Sequence, residues 1–196
     1  MKKLFLAAML ALASFVSMPV AQAADDLKSF GKIEYAFRDV DANADNKNGA
    51  NITIGREVAP GVKFDLKTEF RRENGSGNTS NRFEVGGTME NQLSDNTRLF
   101  VRGAVGEKFI SGAGNDDFAY YSLEPGVKVG LSKDLTLIGS YRFRDSFSGN
   151  DSDETHRVRV GGEYALSNAT FVTADVARSL GDTQYNSVNV GYGFRF

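Results

Sequence analysis

The sequence predicts an all-β chain, a transmembrane antiparallel up-and-down β-barrel of about ten strands, with eight or twelve as the neighbouring counts. Three observations carry this. Segments of about 9 to 12 residues alternate apolar and polar side chains and are separated by Gly, Asn, Asp and Ser. The connections alternate between short and long. Past residue 23 no apolar run approaches the roughly 18 residues that a membrane helix needs.

The strands are justified in order. In Phe30–Arg38, Ile33, Tyr35 and Phe37 share one face against Lys32, Glu34 and Arg38, because successive strand side chains point to opposite sides. Ala50–Val58 follows the same rule. Val62–Arg71 is the clearest case, with Val62, Phe64, Leu66, Thr68 and Phe70 on one parity and Lys63, Asp65, Lys67, Glu69 and Arg71 on the other. Arg82–Glu90, Arg98–Lys108, Phe118–Val129, Leu135–Arg144, Thr155–Tyr164, Phe171–Arg178 and Asn186–Phe196 complete the set.

The first 23 residues read as an address. Lys2 and Lys3 precede the mostly apolar Leu4–Val20, and Ala21-Gln22-Ala23 is a small-x-small cleavage site, the pattern of a secretory signal peptide. Residues 24–196 then form the barrel domain, with 21 basic and 25 acidic side chains. There is no Cys and one His, which excludes Cys nucleophiles, Cys/His zinc sites and iron–sulfur clusters, so no cofactor or metal is expected. A formal charge of -2 offers no basic footprint for nucleic acid.

Alternation alone also fits a soluble barrel with its apolar face inward. Strand length favours a membrane, since about 9 to 11 residues cross a bilayer at a tilt. So do two aromatic belts on the apolar parity. Phe37, Phe70, Phe83, Tyr121, Tyr141 and Phe143 lie toward the long loops, and Phe64, Tyr164, Tyr192, Phe194 and Phe196 toward the short turns. The ending Val190-Gly191-Tyr192-Gly193-Phe194-Arg195-Phe196 resembles the C-terminal signature of bacterial outer-membrane barrels. The resemblance implies an outer-membrane location in contact with lipid and lipopolysaccharide, and Tyr192, Phe194 and Phe196 as the signal read by the barrel-assembly machinery.

If the apolar parity faces lipid, the other lines the lumen. About fifteen basic positions fall there against nine acidic ones, while the remaining acids gather in the loops. The expected function is a narrow passive channel favouring small anionic solutes, with Arg142, Arg144, Arg157 and Arg159 on adjacent strands as the principal contacts. Arg102, Arg98, Arg82, Lys67 and Lys128 join them on the same parity. Inward Gly86, Ala104, Gly106, Gly130 and Gly161 lean toward an open lumen. The alternative is a structural or surface-interaction barrel plugged by charge pairs, since ten strands fall between a filled interior and an aqueous channel.

The stretch Tyr120–Val127 with Leu131–Thr136 and Tyr141–Arg144 resembles the oligogalacturonate-specific porin family and its sialic-acid-channel relatives. That resemblance implies a monomeric, basic-lined channel for acidic oligosaccharides. This chain departs from it in its strand count, ten against twelve.

His156 follows Asp151, Asp153 and Glu154 at the start of a strand, an arrangement that resembles the rim of omptin proteases. It falls on the apolar parity, however, and the chain is short for that tall barrel, so an interfacial His and no enzyme is the expectation. Asp39–Asp45 alternates oxygen ligands but has Ala44 and Ala50 where a calcium loop needs Gly and Glu, and reads as a solvated loop.

Overall fold

The computed structural model describes residues 28–40, 46–75, 77–111, 117–148, 154–181 and 184–196. The proposed signal segment 1–23 and most of the Asp39–Asp45 loop lie outside them.

Ten strands form in chain order: β1 Ser29–Val40, β2 Lys47–Ala59, β3 Val62–Glu73, β4 Thr79–Ser94, β5 Thr97–Ser111, β6 Phe118–Gly130, β7 Leu135–Ser146, β8 Thr155–Ala165, β9 Thr170–Gly181 and β10 Tyr185–Arg195. Each pairs antiparallel with its sequence neighbour, and β1 pairs with β10 from Phe30↔Arg195 to Val40↔Tyr185, closing the barrel. Closure leaves no edge strand, the condition for a sheet to sit in hydrocarbon. All ten sequence-derived strands are present, most extended by a few residues toward the loop end.

The distribution of polarity is the reverse of a water-soluble core. Ile33, Ile54, Val105, Leu123, Val160, Val176 and Val190 project outward and exposed, while Glu34, Arg38, Glu69, Arg82 and Arg142 are buried inside. An apolar wall on this scale is stable only against lipid or another apolar surface. The outward aromatics keep their two belts. Tyr121 packs on Phe143 and Phe147 at the loop end, and Phe194 stacks on Phe196 at the turn end.

The turn end is built by local chemistry. Gly61 closes the β2–β3 turn at φ 73°, a left-handed conformation that Gly adopts without a Cβ penalty. Its N–H donates to Glu57 at 3.0 Å. The β6–β7 and β8–β9 turns share one device. Ser132 Oγ accepts from the N–H groups of Asp134 and Leu135, and Ser167 Oγ from those of Ala169 and Thr170. Ser29 and Phe196 exchange two backbone hydrogen bonds of 2.9 Å, so the first and last strands meet at this same end.

Candidate functional site

The lumen has two unlike halves. From the turn end a cavity of about 1680 Å³ rises to Lys67, Arg142 and Arg157 near mid-barrel. Twelve Lys and Arg line it against eight Asp and Glu. Most of these acids are already engaged. Arg102 donates to both oxygens of Asp65, at 3.0 and 2.5 Å, and to Glu84 at 2.6 Å. Arg159 holds Glu124 at 2.7 Å, which also accepts from Ser140. Glu90 is shared by Lys63 and Lys128, and Glu163 is bound by Arg195.

The loop-side half is packed. The Glu69 carboxylate takes Arg38 at 3.0 Å, Lys67 at 2.9 Å, Arg82 at 3.4 Å and Arg71 at 3.5 Å, with the three Arg side chains drawn from β1, β3 and β4. Arg71 is further fixed by the carbonyls of Ala50 and Phe70 and by Asn51. Tyr120 donates to Glu84 at 3.2 Å and carries Arg144 over its ring, while Arg38 lies over the ring of Tyr185. Apart from Lys67, which reaches the cavity, these side chains are buried and pack against one another in the loop-side half.

The nine Lys and Arg positions named from the sequence lie on the inward parity of their strands, alternating with the exposed apolar wall. The principal cluster is nevertheless divided. Arg142, Arg157 and Arg159 reach the cavity, as do Arg102, Lys67, Lys128 and, at the mouth, Arg98. Arg144, 2% exposed, and Arg82 are instead part of the packed layer and do not line the cavity. Two residues along one strand span about 6.6 Å. That step separates Arg142 from Arg144 across the boundary.

The inward glycines correct an expectation. Four face an inward aromatic in register: Phe30↔Gly55, Phe100↔Gly126, Gly106↔Tyr120 and Phe171↔Gly193. A Cβ on Gly106 would lie 2.7 Å from Tyr120 Cζ, one on Gly126 2.5 Å from Phe100 Cε1. Gly86 lies under the Arg102 guanidinium and Gly161 against Asp175. Gly86, Gly106 and Gly161 therefore seat bulky neighbours and do not widen the lumen. Sequence reading missed these inward rings because their partners are visible only once register is known. Gly126→Ala is expected to destabilise the barrel by about 1–3 kcal/mol through overpacking, read as a lower urea midpoint of the refolded protein.

His156 is on the outer wall near the loop end. Its Nδ1 is 2.5 Å from the Tyr141 hydroxyl and its Nε2 3.0 Å from Glu154, and its ring packs on Phe143. Among the described residues no group of three His, Asp or Glu is placed to hold a metal ion.

A closed antiparallel barrel with an apolar outer wall, aromatic belts and a charged lumen is an outer-membrane-type β-barrel. No protein-family model and no curated protein matches the chain. Among solved structures it is similar to an outer membrane channel from Pseudomonas putida F1, with a TM-score of 0.57 and 9% identity over 86% of this chain and 95% of that one. It is also similar to the translocator domain of the autotransporter NalP from Neisseria meningitidis, with a TM-score of 0.52 and 10% identity over 100% and 96% of the two chains. A KdgM porin aligns at a TM-score of 0.46 and 14% identity over 84% and 99%. These likenesses concern the fold.

Proposed function

We propose that the chain is a porin-like outer-membrane protein, a narrow passive channel whose net-basic lumen favours small anionic solutes, and that it catalyses no reaction. The observation that carries this is the cavity lining of twelve basic against eight acidic side chains. Fixed positive charge inside a low-dielectric wall concentrates anions and repels cations. Arg98 and Lys128 stand at the mouth, Lys67, Arg102, Arg142, Arg157 and Arg159 further in, and passage requires the Glu69 layer, with Arg82 and Arg144, to yield. Export through a cleaved segment 1–23, and insertion as a monomer into outer-membrane lipid and lipopolysaccharide by machinery that reads Tyr192, Phe194 and Phe196, belong to the same reading.

Planar-bilayer recording of the refolded protein under a salt gradient tests it. The expected result is small discrete steps with a reversal potential on the anion side. Arg142→Glu combined with Arg157→Glu should shift that potential toward cations. A folded but silent barrel would sink the channel. The packed loop-side half favours a second reading, a structural barrel whose lumen is plugged by charge pairs, and silence is its expected result.

A further inference from the structure

We infer that the inner end of the cavity is a discrete binding site for one compact, multiply charged oxyanion of the phosphate type, gripped by Arg142 and Arg157 and entered from the turn end. The inference rests on the basic-lumen reading above and gives it a specific occupant.

Arg142 and Arg157 are directly opposite one another in the β7–β8 register, and both project inward. Like charges directly opposite on one face of a sheet repel and are destabilising unless something lies between them. Both side chains line the top of the cavity, and Arg142 is only 6% exposed. Among the described residues Arg142, a guanidinium with five donors, makes no direct hydrogen bond or ion pair, and Glu84, Glu124 and Glu69 act on it only at longer range. The lumen carboxylates that act on it are in direct contact with other groups: Glu124 with Arg159 and Ser140, Glu84 with Arg102 and Tyr120, and Glu69 with Arg38 and Lys67. Arg157 is held loosely, by Ser187 at 3.0 Å and by Asp175 at 3.9 Å, with its Nε buried and unpaired.

Buried guanidinium donors with no acceptor in contact are costly, and an anion arriving from water supplies the acceptor. Two guanidinium groups paired across β7 and β8 carry the donors that the oxygens of a phosphate group take up. The cavity is lined down to the turn residues Pro60, Gly61, Ser132 and Ser167, while the buried layer around Glu69 lies on its loop side, so the anion enters from the turn end.

The test is titration calorimetry of the full refolded protein in detergent with inorganic phosphate at low ionic strength. One phosphate per barrel is expected. Arg142→Gln should weaken binding at least tenfold, while the charge-matched Arg72→Gln on the exposed outer wall should leave it within twofold. If Arg142→Gln fails to fold, Arg142→Lys keeps the charge, removes the fork and should still weaken binding severalfold. Absence of saturable binding to the folded protein, or equal weakening by the Arg142 and Arg72 variants, would overturn the site. Anion-selective conductance without saturable phosphate binding refutes the site and keeps the channel. Saturable binding by a silent barrel keeps the site and refutes the channel.

Discussion

Glu69→Gln is expected to loosen the loop-side half of the barrel and to lower its stability by about 3–5 kcal/mol, the range for breaking a buried ion network by removing one partner. The basis is geometric. One carboxylate receives Arg38, Lys67, Arg71 and Arg82. Without it, four cations converge on a point that is screened from water, and repulsion should drive the side chains apart into the lumen. Two readouts check this: a lower urea midpoint for the variant refolded in lipid vesicles, and a conductance several times that of the parent protein. An unchanged midpoint together with unchanged conductance would show that the layer does not depend on Glu69. Lys47→Gln supplies the contrast. Its bridge to Glu73 is at the wetter rim, so its loss should cost less than about 1 kcal/mol and leave conductance alone.

That prediction also marks where sequence reading stops. Strand number and the facing of each side chain were legible, because lipid on one side and water on the other impose a strict period of two, and a one-residue slip would place Lys63, Asp65 and Lys67 in hydrocarbon. The charged side of the wall was legible for the same reason. What the lumen does with its charges was not. Glu69 meets Arg38 of β1 and Arg102 of β5 meets Asp65 of β3, contacts across two strands that depend on shear and side-chain reach. Arg142 and Arg144 look alike in sequence, yet one lines the cavity and the other is locked over Tyr120. Tyr120 poses the same problem: parity turns it inward and Tyr121 outward, but only register shows that Tyr120 rests on Gly106.

The outer wall yields the second large effect. Val160 is at the middle of β8, projects outward and is 58% exposed. If hydrocarbon covers it, Val160→Arg places a cation near the bilayer midplane and should cost about 2–4 kcal/mol, falling to about 0–1 kcal/mol near the interface. Leu166→Arg, in the exposed β8–β9 turn, is the interfacial counterpart and should fall in the lower range. The comparison is of urea midpoints for the two variants refolded into phospholipid vesicles. A water-facing wall makes the opposite prediction, because an exposed Val→Arg change in a soluble barrel stays within about 0.5 kcal/mol wherever it falls. Equal, small effects at positions 160 and 166 would overturn the membrane assignment of this wall. A depth-dependent difference would support it independently of any current the lumen carries.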